Sequence, residues 1–277
     1  MPDTTVSDTP SPWEPPQPVV WRPLSGRLAA HVAGPDDASR LVFLHGFTQT
    51  STSWRPIAEE FARRGHECIV IDLPGHGDSA NVRADLRRTA DMVAAIGARA
   101  TYVGYSLGGR AALHVALMYP NLVTSLVTLG ANPGIDSEDE RARRRESDDQ
   151  LIERMDDIGL EAFLREWVAL PLFGGLAVSP ADMADRLRNS PEGLASSLRL
   201  AGTGAQGSLW PRLRELNMPV LAMAGDLDEK FAAVARQIAD TVPRGTCELV
   251  PGAAHAAHLQ QPATVVDALA RWLAALT

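Results

Sequence analysis

A chain of 277 residues, 45% of them apolar, can bury one full-sized core and suits a single α/β domain carrying an insertion. Its formal charge of −8 excludes a nucleic-acid partner, because a phosphate-binding surface needs clustered positive charge. No run is long enough to span a bilayer, so no membrane partner is expected.

Residues 1–18 are rich in Pro, Ser, Thr and Asp, with neither the basic start nor the apolar stretch of a secretory signal. They are expected to form a disordered tail, and the protein is expected to be cytoplasmic. VVWRPL and RLAAHVAG then read as a hairpin, followed by the buried strand RLVFLHG, which runs into a turn at Gly46. Residues 54–64 show helical spacing, with Trp54, Ile57, Ala58 and Phe61 on one side. HECIVIDLPGHG is a second buried strand ending in a Pro/Gly loop. A helix is predicted over 83–96, a strand over ATYVGYS, a helix over 107–119 ended by Pro120, and a strand over VTSLVTLGA. Short β-branched runs alternating with helices imply a mostly parallel sheet covered on both faces.

The pattern changes from about Asn132 to Trp210, where no strand-like run occurs and several helices are predicted. The sheet pattern resumes with MPVLAMAGDLD and TCELVPGAAH, and a final helix is expected over 263–276. Residues 132–210 therefore read as a helical lid inserted between two parts of one core, 19–131 and 211–277. Such a lid sits over the carboxyl ends of the strands, where ligands bind in open α/β sheets. Cys68 and Cys247, each inside an apolar run, are expected as buried free thiols in strands.

Gly104-Tyr105-Ser106-Leu107-Gly108 follows a strand and opens a helix, which is the setting a Gly-x-Ser-x-Gly nucleophile requires. The turn needs small neighbours, it thrusts the hydroxyl out at the tip of the sheet, and the helix N-terminus favours developing negative charge. The expected oxyanion donors are the N–H of Leu107 and, in the loop after LVFL, the N–H of Phe47. His45 beside it reads as a structural hydrogen-bonding residue. A serine nucleophile needs an imidazole and a carboxylate to orient it. Both are offered at the ends of late strands, in the order Ser, Asp, His. Asp228 is preferred to Asp226, whose place suits bracing the turn. His255, at a loop tip, is preferred to His258, one turn on. His31, His66, His76 and His114 read as surface or packing residues.

LVFLHGF, VIDLPGHGDS, VGYSLGGR, AGDLD and the His255 region together resemble the α/β-hydrolase superfamily, from about Val19 to the end. Finer features resemble the MenH-type 2-succinyl-6-hydroxy-2,4-cyclohexadiene-1-carboxylate (SHCHC) synthases of menaquinone biosynthesis. These are Gly104 to Arg110, Ala131-Asn132-Pro133-Gly134 leading into ERARRRESDD, FLREWVALPLF, Leu187-Arg188-Asn189, and Gly225-x-x-Asp228-x-Lys230-Phe231. The closing His255-Ala-Ala-His258 departs from the family in two places, with Ala254 for a usual Gly and Gln260 for a common acid.

The resemblance implies an α/β-hydrolase fold and a lyase that expels pyruvate from a small polycarboxylate. Ser106, His255 and Asp228 would be its base assembly, and no cofactor or metal is expected. It also implies that Arg144 and Arg188 bind carboxylates, with Tyr105, Trp167 and Phe173 lining the pocket. Arg110, one turn beyond the serine, fits bidentate carboxylate capture better than acyl transfer. An exposed, salt-bridged helix would carry the same run of arginines as ERARRRESDD. The competing readings are a carboxylesterase or C–C hydrolase with the same triad, and a non-catalytic binding protein on this scaffold.

Overall fold

The sheet follows from β-branched and apolar runs whose alternate side chains enter two different cores. A computed structural model describes residues 18–276, so the expected tail lies outside the described residues except for Pro18. Its strands are β1 (Arg22–Leu24), β2 (Ala30–Ala33), β3 (Arg40–Leu44), β4 (Glu67–Ile71), β5 (Ala100–Tyr105), β6 (Val123–Leu129), β7 (Val220–Gly225) and β8 (Gly245–Val250). They form one sheet in the order β1-β2-β4-β3-β5-β6-β7-β8. The hairpin strands pair antiparallel with each other and with β4, and every other pairing is parallel. Period two is plain in β3 and β4: Val42, Leu44, Ile69 and Ile71 enter one core, while Leu41, Phe43, Cys68 and Val70 enter the other.

Helices cover both faces. α1 (Arg55–Arg63) and the final helix bury Ile57, Phe61, Val265 and Leu269 on one side. α2 (Leu86–Gly97) and α3 (Leu107–Met118) bury Ala90, Val93, Ala111 and Val115 on the other. α2 begins at Leu86 rather than at residue 83, because the Asp85 side chain accepts from the Arg88 N–H and caps it there.

Between β6 and β7 lie α4 (Glu138–Ile158), α5 (Leu160–Val168), α6 (Pro180–Arg186) and α7 (Pro191–Ala201). The charged run opens α4, capped by Ser137 and carrying Glu138, Asp139 and Glu140 in the first turn, where negative charge suits the dipole. These helices share a small core of their own, Ile152, Met155, Phe163, Leu164, Leu194 and Leu198, and Phe47 packs against it. That contact sets the inserted helices against the loop after β3.

Two elements went unseen in the sequence reading, α8 (Glu229–Thr241) and the one-turn α9 (Ala257–Gln260); α10 (Pro262–Ala274) closes the chain. Both cysteines are free. Cys68 is buried, but Cys247 is only half-buried because β8 is the edge strand.

Candidate active site

Ser106 occupies the sharp corner between β5 and α3, with φ 50° and ψ −108°, a left-handed conformation that costs a non-glycine residue about 1–3 kcal/mol. Glycine makes the corner possible. A Cβ on Gly104 would run into the Gly108 carbonyl, and one on Gly108 into the Leu44 carbonyl. The close approach of α3 to β3 brings the end of β3, and the loop after it, beside the serine.

His255 follows β8 and places Nε2 3.3 Å from Ser106 Oγ. Its Nδ1 lies 2.8 Å from Asp228 Oδ2. An ionised carboxylate only accepts, so Nδ1 carries the proton and Nε2 turns its lone pair toward the serine hydroxyl. Asp228 also caps α8, accepting from the Phe231 N–H at 3.2 Å, which anchors the carboxylate. His255 and Asp228 are both buried, and Tyr105, Phe173 and Phe231 pack around the imidazole.

The neighbouring alternatives do other work. Asp226 accepts from the Gly252 N–H at 2.8 Å and braces two loops. His258 is stacked 4.6 Å from Trp54 and lies 4.3 Å from Tyr105, with its imidazole held well below its usual pKa by burial. His45 Nδ1 donates to the Gly46 carbonyl at 2.8 Å, and its Nε2 accepts from the Leu73 N–H at 2.9 Å. That pair of bonds fixes the loop leading to Phe47. His76, expected as surface or packing, is fully buried against His45 and Phe47, and burial pushes it down to about 3.

One of the two departures in the histidine loop, Gln260, has a structural meaning. Gln260 accepts from the Ala254 N–H at 2.8 Å and donates to the Phe173 carbonyl at 3.1 Å. It ties the loop of His255 to the inserted segment, and an ionised acid could not make the second bond.

A cavity opens over Ser106. Phe47 and Leu107 lie on its floor, and Leu107 is the first residue of α3, so its N–H has no acceptor within the helix. Tyr105, Trp167 and Phe173 form an aromatic wall, with Trp167 packed 5.1 Å from Phe47 and 5.9 Å from Phe173. Arg110 and Arg144 also line it. Arg110 is buried and donates to the Ala201 carbonyl at 2.6 Å and to Gln206 Oε1 at 3.2 Å. Among the described residues no carboxylate pairs with it, and burial pushes its guanidinium down to about 9.

Arg188 does not line this cavity. Its guanidinium is held by Asp78 at 2.8 Å and Asp185 at 3.1 Å, with Asp72 at 4.0 Å, and that acidic group holds it elsewhere. The cavity is also lined by Lys230 and Phe231, which the sequence offered only as part of a resembling motif, and by Leu172, Ser197 and Thr203, which it did not single out. Lys230 also stands out in the sequence as the only lysine in the chain, two residues after Asp228.

A family model described as the alpha/beta hydrolase fold matches residues 39–262. The chain belongs to the α/β-hydrolase family. Within it, the chain is 37% identical over 259 residues to the 2-succinyl-6-hydroxy-2,4-cyclohexadiene-1-carboxylate synthase of Salmonella paratyphi C, covering 88% of this chain and 98% of that one. The solved structure of MenH from S. aureus superposes with a TM-score of 0.80 at 31% identity, covering 89% of this chain and 98% of that one. A thermophilic esterase from Thermogutta terrifontis superposes at 0.76 with 23% identity over 92% and 99% of the two chains, a likeness of fold alone.

Proposed function

We propose that this α/β-hydrolase is a carbon–oxygen lyase of menaquinone biosynthesis. It eliminates pyruvate from 2-succinyl-5-enolpyruvyl-6-hydroxy-3-cyclohexene-1-carboxylate to give SHCHC. The observation that carries the reading is Arg110: a buried guanidinium with no carboxylate partner among the described residues, in the wall of the cavity that holds Ser106 and His255. Burying a cation without a direct ion-pair partner costs several kcal/mol, and an anionic substrate reduces that cost. Arg144 and Lys230 line the same cavity, so it matches a substrate bearing several carboxylates and gives a neutral ester no comparable partner.

The chemistry follows from the orientation of the triad. His255 Nε2 takes the Ser106 proton, and the serine oxygen removes the ring proton of the substrate. The electron pair of the broken C–H bond forms the new ring double bond, and the C–O bond to the enolpyruvyl group breaks. The departing enolate takes up a proton and becomes pyruvate. Asp228 stabilises the imidazolium, and the Phe47 and Leu107 N–H groups hold charge developing on the substrate. No covalent intermediate forms. The aromatic wall and the inserted helices act as a lid that keeps water from the base.

Substituting Arg110→Met, which keeps most of the side-chain volume, tests the reading. We expect kcat/KM for pyruvate release to fall by about 10- to 100-fold, the worth of a charge-assisted hydrogen bond. Unchanged kcat/KM would remove Arg110 from the substrate site.

A further inference from the structure

The second cavity arginine is held from behind by a carboxylate. Arg144 and Asp148 stand one turn apart on α4, and Arg144 Nε donates to Asp148 Oδ1 at 2.9 Å. Asp148 is only 3% exposed, and its Oδ2 has no hydrogen-bond partner. That oxygen lies against the cavity-lining backbone at Gly202, where an added Cβ would sit 2.6 Å from it. Packing alone gives no reason for a carboxylate here, since an apolar residue of similar size would escape the desolvation cost.

The consequence lies in which edge of the guanidinium is used. With Nε engaged by Asp148, the Nη1/Nη2 edge of Arg144 has no partner among the described residues and can meet a carboxylate with two parallel N–H bonds. Arg110 shows the complementary arrangement. Its Nη1 is taken by Ala201 and Gln206, Gln206 is itself fixed by donating to the Pro133 carbonyl at 2.7 Å, and the Nε/Nη2 edge is left over. Each arginine therefore has one engaged side and one open side.

We propose that Asp148 is the positioning residue of the carboxylate site: it clamps Arg144 by Nε so that the Nη1/Nη2 edge is presented to substrate. Without the clamp, Arg144, whose side chain is 39% exposed, turns out to solvent. The Asp148 carboxylate also favours the charged form of Arg110, which the neighbouring Arg144 opposes. The inference rests on the reading of Arg144 as a substrate-binding residue.

A double-mutant cycle on KM separates the two. Arg144→Ala and Asp148→Ala are each expected to raise KM by about tenfold with kcat within about threefold, and the double variant to be no worse than Arg144→Ala alone. Asp148→Asn keeps an acceptor for Nε and should restore KM to within about threefold of the parent. Should Asp148→Ala not fold, Asp148→Leu carries the same cycle. KM effects that multiply, to about 100-fold in the double variant, would show Asp148 acting independently of Arg144 and overturn the inference alone. An unchanged KM in Asp148→Ala would do the same. An unchanged KM in Arg144→Ala would overturn the substrate role of Arg144 and the inference with it.

Discussion

Gly46→Ala addresses the geometry on which the proposed oxyanion site depends. Gly46 precedes Phe47, and an added Cβ would stand 2.5 Å from Cε1 and 2.6 Å from Cδ1 of Tyr105, the residue before Ser106. Ordinary contact begins at 3.4 Å, so loop and ring must part by about 0.9 Å. The Tyr105 ring has little freedom to yield, being 2% exposed and packed against His255 and His258. The displacement therefore shifts the Phe47 N–H relative to Ser106. A donor shifted by that distance leaves hydrogen-bond range, and loss of one oxyanion donor costs about 10²- to 10³-fold in kcat. Overpacking should cost about 1–3 kcal/mol of stability. Initial rates of pyruvate release at saturating substrate, with urea unfolding in parallel, measure both. Gly207→Ala, where an added Cβ meets nothing within 4 Å, is the control and should change neither. A Gly46→Ala enzyme with kcat within threefold of the parent would refute the reasoning.

The other expectations concern the triad, the displaced arginine and the buried histidines. Asp228→Asn can donate to His255 Nδ1 and so favours the wrong tautomer; kcat should fall on the order of 10⁴-fold, and a loss under tenfold would contradict the assigned role. Arg188→Ala should leave KM within about twofold and cost less than about 1 kcal/mol in urea unfolding, because its side chain is half-exposed and its acids lie away from the cavity. A tenfold rise in KM would return it to the substrate site. His76 is held near 3 in the folded state against 6.5 ordinarily, so below pH 6.5 the unfolded chain binds a proton that the folded chain refuses. Its contribution is present above pH 6.5 and is lost as pH falls toward 3, which amounts to about 2 kcal/mol between pH 7 and pH 5. The buried, lowered His45 and His258 act in the same direction. In His76→Phe the fall in urea-unfolding stability between those pH values should shrink by about 2 kcal/mol, and an unchanged pH slope would contradict the assignment.

Much of the architecture was readable because its signals are local. The strands of the central sheet are short apolar runs between turn residues, and the corner at Ser106 is written in the glycines two positions either side of the serine. The order of acid and histidine at strand ends was equally visible. What escaped depends on residues distant in sequence. Arg188 was assigned from its resemblance to a carboxylate-binding position, yet its partners Asp72 and Asp78 come from the loop after β4, which only the fold brings to α6. Lys230 sits in the first turn of α8, where a charged side chain reads as solvent-facing until the cavity is seen. α8 is hard to see in the sequence because it starts directly after Asp228, whose proposed catalytic role hides its second use as a helix cap. Cys247 was misjudged because sequence alone does not say which strand forms the edge.

The central claim is most directly tested by generating the enolpyruvyl substrate in situ with the enzyme that makes it, and following pyruvate and the cyclohexadiene chromophore together. Equal and rapid appearance of both, reduced to the spontaneous background in Ser106→Ala, is the expected result. Background rates with the parent enzyme, alongside brisk cleavage of a simple aryl ester, would contradict it and make the triad an ester hydrolase.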